Sequence, residues 1–125
     1  MKNKDKIILK DWRFWGTHGV YTEEKQHNQE FKLDITLYLS LDAAAKSDDL
    51  NQTIDYTALY PRVKAIIEGE SYNLLEALAG KIIQLLLAYP QVEGAKVALT
   101  KCSTKIDGFT FAPCIELKRY KDTPA

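Results

Sequence analysis

A carboxylate follows two leucines at the start of the most apolar helical pattern in the sequence, in Tyr72-Asn73-Leu74-Leu75-Glu76. Because the first turn of a helix presents free backbone N–H groups, Glu76 lies where an anchor for a ligand would lie. Asn73 followed three residues later by Glu76 is also the pattern of a capping box, in which both side chains bind the helix start. These five residues alone leave both interpretations open.

Three other side chains have types that transfer protons. Lys101 continues the strand face of Val97 and Leu99, where apolar contact disfavours the charged amine and would make it a usable base. A lysine at a strand end can instead extend its amine into water. Tyr56, just before the first predicted helix, can donate a phenolic proton or simply pack. His18, between glycines, is either a catalytic residue or a turn residue.

The remaining histidine and the cysteines do not indicate a metal site. His18, His27, Cys102 and Cys114 lack the spacing of zinc ligands, and we expect His27 to be solvated. Cys102 and Cys114 would face each other across a hairpin near Gly108, but we expect reduced, packed thiols. The sequence contains no glycine-rich phosphate loop and no nucleophile elbow. We therefore expect neither a metal nor a cofactor.

The composition limits the kinds of partner. Lysine plus arginine equals aspartate plus glutamate at 17 each, so charge gives no reason to expect a nucleic acid or an anionic membrane. No run approaches the ~20 apolar residues that span a bilayer, and the N-terminus lacks the apolar segment of a signal peptide. We expect a cytoplasmic protein that forms a single domain over residues 1–125.

Hydrophobic periodicity predicts the elements that must position these side chains. A strand over residues 8–15 runs into a bend at 16–19, and a longer strand follows, in which apolar residues alternate with polar ones from Phe31 to Leu39. Residues 42–55 are predicted to be a long connection. Helices are predicted from about residue 57 to 69, with Pro61 in or near the opening turn, and from after Asn73 to before Pro90.

Two further strands complete the pattern. One carries Ala95, Val97, Leu99 and Lys101 on a single face. The other carries Phe109, Phe111, Ile115 and Leu117 on a single face, after a loop that contains Asp107-Gly108. The order ββααββ predicts an α+β domain in which a four-stranded antiparallel sheet has two helices on one face. Such a sheet leaves long edges unpaired, so we expect a symmetric oligomer that closes edge to edge into a ring.

The order of several short motifs resembles the dihydroneopterin aldolase family. These motifs are WGTHGV at 15–20, Glu24, QEFKLD at 29–34, SDDL at 47–50, TIDY at 53–56, NLLE at 73–76 and TK at 100–101. Each motif is weak alone, but their joint order and spacing are specific. The resemblance covers residues 7 to 119, almost the whole chain.

The resemblance implies the tunnelling fold, in which four-stranded units with two helices form tetrameric β-barrel rings that stack into octamers, with sites at subunit interfaces. It implies that Glu76, beside Leu75, binds the amino and ring N–H groups of a pterin. It also implies that Lys101 is catalytic and that Glu24 belongs to the substrate site. Tyr56, with Thr53 and Ile54, would reach the site of a neighbouring subunit.

The reaction implied by the resemblance is a step of folate biosynthesis. A retro-aldol cleavage converts 7,8-dihydroneopterin into 6-hydroxymethyl-7,8-dihydropterin and glycolaldehyde, with the ring imine of the substrate as electron sink. Lys101, through water, and Tyr56 are the implied proton-transfer groups. No metal or cofactor is implied.

The chain departs from the family pattern at two places. Residues 102 to 108 contain no proline where the family commonly has prolines, and Lys105 there offers a second amine. Thr17 stands where an aromatic residue is frequent. Two alternatives therefore remain: an epimerase that acts on dihydroneopterin or its triphosphate, and a non-catalytic ring protein that binds pterins or purines.

Overall fold

The structure is a computed structural model that describes residues 5–121. Within that range the chain forms β-strands, α-helices and one 3-10 turn. In chain order they are β1 (Lys6–Gly16), α1 (Thr22–Gln26), β2 (Gln29–Tyr38), α2 (Asp42–Ser47), a 3-10 turn (Leu50–Gln52), α3 (Tyr56–Ile67), α4 (Leu75–Leu87), β3 (Gly94–Lys101), β4 (Thr104–Ile106), β5 (Phe109–Phe111) and β6 (Cys114–Tyr120). No helix in this range is long and apolar enough to cross a membrane.

Four strands form one antiparallel sheet in the order β1-β2-β3-β6. Helix α4 packs against β3 and β6, and α3 packs against β1 and α4. The predicted α+β class and the predicted four-stranded antiparallel sheet are confirmed. Strands β4 and β5 form a separate two-stranded hairpin.

The alternation of β2 produces the core. Phe31, Leu33, Ile35 and Leu37 are each at most 1% exposed, whereas the intervening side chains are half-buried. One cluster joins these residues to the apolar stripes of α3 and α4, which contain Leu59, Val63, Ile67, Leu78, Ile82 and Leu86. Each such side chain contributes about 1.5–3 kcal/mol when it leaves water, so the burial fixes which face of the sheet the helices cover.

A β-bulge changes which side chains of β1 face the core. The pairing of β1 with β2 shifts between Leu9 and Trp12, and Asp11 has a φ of 62°, in the left-handed region. The Asp11 N–H donates to Asp34 Oδ1 at 2.7 Å, which satisfies the group that the bulge removes from the ladder. Leu9 and Phe14 are five positions apart, which in a regular strand would place them on opposite faces, yet both are buried because of this shift.

The predicted ββααββ order is wrong in several details. Helix α1 lies between its first two strands. Residues 42–55, predicted to be a connection, contain helix α2 and a 3-10 turn. Phe109 and Phe111 were predicted to share a strand with Ile115, but they lie in the hairpin β4–β5, and β6 begins only at Cys114. Pro113 lies between the two strands and has no N–H to donate, which explains the break.

Helix α3 begins one residue before its predicted start. Asp55 Oδ1 accepts from the N–H groups of Thr57 at 3.1 Å and Ala58 at 3.3 Å, and so caps the helix. The helix ends at Ile67 rather than at residue 69. Pro61 is its sixth residue and lies beyond the opening turn where it was predicted.

The predicted capping box at the start of α4 is wrong. The N-cap residue is Leu74, and no side chain caps the helix there. Asn73 Oδ1 accepts instead from Lys25 Nζ at 2.6 Å. Glu76 lies exposed in the first turn. The interpretation of Glu76 as a ligand anchor stays a prediction.

Candidate functional site

The last residue of β3 holds an amine against a carboxylate. Lys101 is paired with Phe31 across the sheet and is only 7% exposed, so its side chain lies on the buried face, as predicted. The alternative in which its amine extends into water is wrong. Lys101 Nζ donates a hydrogen bond to Glu24 Oε2, and the two side chains form an ion pair.

The position of the Glu24 side chain depends on Gly19, which precedes α1. A Cβ on Gly19 would lie 2.4 Å from the carboxyl carbon of Glu24, so only glycine leaves room for this side chain. Burial acts to raise the pKa of Glu24, but the hydrogen bonds from Lys101 and from the Tyr21 N–H outweigh it and hold the pKa below its ordinary value. Glu24 is thus ionised at neutral pH.

An open cavity of about 860 Å³ lies beside this ion pair. Its walls come from the segment that contains Glu24, His27 and Gln29, and from residues 103–106 after Lys101. Lys105 lines the cavity, so the second amine is also near the site. The hydroxyl oxygen of Thr104 is buried and has no hydrogen-bond partner among the described residues.

Glu76 and Leu75 lie on another element, at the start of α4. Within residues 5–121 the Glu76 carboxylate has no hydrogen bond or ion pair, whereas the Leu75 side chain is half-buried against the core. The carboxylate is therefore free to accept hydrogen bonds from a ligand.

Tyr56 lies apart from the ion pair in this chain. It is 52% exposed and lines a smaller cavity with Trp12, Thr57 and Tyr60. Of the two residues predicted to act with it, Ile54 is buried in the core and Thr53 is half-buried near α2. One chain thus brings Glu24 and Lys101 together but does not gather the other predicted site residues around them.

His18 is neither a catalytic group exposed to substrate nor a simple turn residue. Its side chain is completely buried, and its ring lies between two backbone groups, the Ile67 carbonyl at 2.6 Å and the Tyr72 N–H at 3.0 Å. Burial lowers the pKa of His18, against the effect of the Ile67 carbonyl, and the charges of Lys25 and Lys101 lower it further. His27 is exposed, as predicted.

The cysteines are free thiols. Cys102 is half-buried, and burial, with the nearby charge of Glu30, raises the pKa of its thiol. Cys114 is exposed, so the expectation that both thiols are packed is wrong for it. Among the residues that the structure describes, no group of three or more His, Cys, Asp or Glu side chains is arranged to hold a metal ion.

The chain is similar to known proteins over most of its length. Residues 7–118 match the model of the family described as dihydroneopterin aldolase. The dihydroneopterin aldolase of Streptococcus pyogenes serotype M1 is 41% identical over 118 residues, which cover 94% of this chain and 99% of that protein. The dihydroneopterin aldolase of Bacillus subtilis strain 168 is 40% identical, with coverage of 94% and 98%.

A solved structure supports the same similarity. The Escherichia coli dihydroneopterin aldolase in complex with neopterin matches this fold with a TM-score of 0.79 and 26% identity. The match covers 90% of this chain and 98% of that one. The likeness thus extends to the whole architecture around the Glu24–Lys101 pair.

Replacing Glu24 by glutamine is expected to lower stability in a pH-dependent way. Because the pKa of Glu24 is lower in the folded than in the unfolded state, its ionised carboxylate stabilises the fold above the ordinary pKa of about 4.5, and that stabilisation is lost as the pH falls through the folded pKa. Urea midpoints of wild type and Glu24→Gln should therefore differ at pH ~7, and the difference should be smaller at an acidic pH below the ordinary pKa of Glu24.

The neighbouring exposed carboxylate provides the control. Glu23→Gln should leave the urea midpoint unchanged at both pH values, since Glu23 has no such partner in the described part of the chain. A gap between wild type and Glu24→Gln that persists undiminished in acid would contradict the role of the ionised pair.

Proposed function

This chain belongs to the dihydroneopterin aldolase family, and we propose that it cleaves 7,8-dihydroneopterin by a retro-aldol reaction into 6-hydroxymethyl-7,8-dihydropterin and glycolaldehyde. The observation that carries this proposal is the buried amine of Lys101, which is paired with Glu24 beside an open cavity. The Escherichia coli relative was solved with neopterin, a ligand of the same chemical class as the proposed substrate.

In the proposed reaction a base removes the proton of the 2'-hydroxyl and the bond between C1' and C2' breaks. The electron pair passes into the ring imine of the substrate, and the resulting enamine is protonated at C1'. Because the ring imine receives these electrons, the proposed reaction requires neither a metal nor a cofactor. The protein then has only to bind the substrate, orient its hydroxyls and move two protons.

Lys101 and Glu24 are suited to moving and orienting those protons. An ammonium group has three donors, and the hydrogen bond to Glu24 orients one of them, which leaves the others for a substrate or a relaying water. As an ammonium group Lys101 can donate, so we assign to it, through water, the protonation at C1', and we assign the orientation of the side-chain hydroxyls to Glu24.

Glu76 is the proposed anchor of the pterin ring. An ionised carboxylate has two oxygens that accept hydrogen bonds, which matches a pair of neighbouring N–H donors on a pterin. Its exposure and its lack of a partner in the described chain leave both oxygens available. Leu75 precedes it and supplies apolar contact at the same helix start.

Tyr56 is proposed to serve the site of a neighbouring subunit, together with Thr53 and Ile54. Its separation from the Glu24–Lys101 pair within one chain supports this assignment. The outer strands β1 and β6 each pair on one side only within residues 5–121, which supports edge-to-edge closure into a ring. We propose a cytoplasmic homo-oligomer of ring tetramers that stack into octamers, with shared sites.

Lys101→Ala is expected to lower glycolaldehyde release from 7,8-dihydroneopterin by at least ~100-fold, because it removes the proposed proton-transfer group. Its Kd for neopterin should stay within about threefold of wild type, since Glu76 holds the ring. Wild-type release should be unaffected by a metal chelator. Chromatography of the products separates cleavage from epimerisation of the side chain.

Lys105→Ala is the matched control for this experiment. Lys105 lines the cavity but has no ion pair with Glu24 within the described residues, so the variant should keep most of the turnover. Unchanged turnover in Lys101→Ala, or an equal loss in Lys105→Ala, would contradict the assigned role of Lys101.

Glu76→Gln is expected to raise the Kd for neopterin by at least ~10-fold, because charge-assisted hydrogen bonds to the ring become neutral and one acceptor becomes a donor. The melting temperature should hardly change, since the side chain is exposed. Glu70→Gln, an exposed carboxylate in the loop before α4, should bind as wild type does. An affinity equal to wild type in Glu76→Gln would rule out the anchor.

A shared site predicts complementation between two inactive proteins. Tyr56→Phe and Lys101→Ala should each be nearly inactive alone. After unfolding and refolding as an equal mixture, about a quarter of the sites should combine an intact Tyr56 with an intact Lys101 from different subunits. Activity should therefore rise well above that of either variant. No gain in a mixture shown by mass spectrometry to contain mixed oligomers would place Tyr56 outside the neighbouring site.

A further inference from the structure

A set of contacts fastens the segment before α4 to the segment between β1 and β2. We call this region the junction, formed by residues 15–25 and 67–73. Its hydrogen bonds are Trp15 N to Glu68 Oε2 at 3.0 Å, Thr17 Oγ1 with Ser71 Oγ at 2.6 Å, His18 Nε2 to Ile67 O at 2.6 Å, Tyr72 N to His18 Nδ1 at 3.0 Å, Gly19 N to Tyr72 O at 3.0 Å and Lys25 Nζ to Asn73 Oδ1 at 2.6 Å.

The two backbone partners of His18 determine its protonation state. A backbone N–H only donates, so Nδ1 must accept from Tyr72, and a carbonyl only accepts, so Nε2 must donate to Ile67. Only the neutral imidazole with its proton on Nε2 satisfies both bonds. Burial and the charges of Lys25 and Lys101 favour the same neutral form.

The surroundings are shaped to accept this imidazole. Its ring packs edge-on against Phe31 with centroids 5.3 Å apart, and it lies against Tyr72. A Cβ on Gly16 would lie 2.6 Å from Ile67 O and 2.9 Å from the His18 ring, so glycine is required where β1 ends. The bridge from Ile67 to Tyr72 is therefore built into the packing and not a surface contact.

The same histidine is connected to both parts of the proposed site. Gln29 Nε2 donates to the backbone oxygens of Glu24 at 2.9 Å and His18 at 3.4 Å, so His18 is tied to the segment that carries Glu24. Its ring binds Tyr72, four residues before Glu76. Tyr72 is held on both sides, since its carbonyl accepts from Gly19.

We propose that His18 is a positioning residue: its Nδ1 accepts from the Tyr72 N–H, and this bond sets the distance between the Glu76 anchor and the Glu24–Lys101 pair, while the bond to Ile67 orients the ring. This inference rests on the proposed function, because the distance matters only if one pterin contacts both groups. His18 itself lies buried behind the site and does not touch the substrate.

Two substitutions of His18 each keep one of its two hydrogen bonds and remove the other. The carboxamide of His18→Asn can place an oxygen near the position of Nδ1 and keep the bond from Tyr72, but it is too short to reach Ile67. The longer carboxamide of His18→Gln can donate to Ile67 in place of Nε2 and leaves the Tyr72 N–H without a partner. Thr17→Ala is the control, since it removes a hydroxyl contact of the junction but leaves Tyr72 held.

The positioning role predicts different binding by these variants at similar stability. His18→Gln should raise the Kd for neopterin by at least ~10-fold, the loss expected for about one buried hydrogen bond. Neopterin binding by His18→Asn and Thr17→Ala should stay within about threefold of wild type. Equal Kd values for wild type and folded His18→Gln would overturn the proposal, and so would equal losses in His18→Gln and His18→Asn, which would indicate packing alone.

Amide hydrogen exchange on the wild-type protein tests the same role without any variant. The Tyr72 amide should exchange at least ~100-fold more slowly than in an unstructured chain, and saturating neopterin should slow it further. Free exchange of that amide, or protection that neopterin does not change, overturns the positioning role. If the wild-type protein binds no neopterin, the proposed function is overturned instead. The hydrogen bond between His18 and Tyr72 is then tested only by the exchange rate of the Tyr72 amide.

Discussion

The register between β2 and β3 determines where the amine of Lys101 lies. Phe31 stands opposite Lys101, and Ile35 stands opposite Val97, so the buried side chains of both strands share one face. A slip of one residue would turn every one of these side chains to the other face of the sheet. The completely buried residues of β2 prevent such a slip because each would have to enter water. The apolar core therefore also fixes the position of the catalytic candidate.

A buried ammonium needs compensation, and this requirement explains why α1 is where it is. Helix α1 has five residues and no buried one, so packing alone does not account for its position. It carries Glu24, whose carboxylate offsets the loss of water around Lys101. Removing one partner from such a pair leaves an uncompensated charge and costs more than the pair contributes. Glu24 itself remains partly exposed to the cavity, so the charged pair is accessible from solvent.

The sequence predicted those features that depend on local periodicity. The alternation from Phe31 to Leu39 and the buried face that ends at Lys101 are confirmed, because burial follows directly from the period of two. The cap at Asn73 was wrong because the Asn73 side chain binds Lys25, 48 residues earlier in the chain, and no local pattern contains that contact. The buried bridge of His18 was missed for the same reason. The only local signal of this bridge was the pair of glycines, Gly16 and Gly19. Why glycines are needed there becomes evident only in the fold, where Ile67 and Tyr72 lie next to His18.

The start of α4 breaks local rules in a way that favours binding over helix stability. Leucine is a poor N-cap, and an Asn, Asp or Ser there would stabilise the helix by about 1 kcal/mol. Leu74 is nevertheless 51% exposed, and the nearby Asn73 is engaged by Lys25. A sequence selected only for stability would have little reason to leave an apolar side chain and an unpaired carboxylate at this position. The junction holds Tyr72 and Asn73, the residues shortly before Glu76, and we propose that it thereby sets the distance from Glu76 to Glu24 and Lys101. This combination is expected of a helix start that binds a small polar ligand.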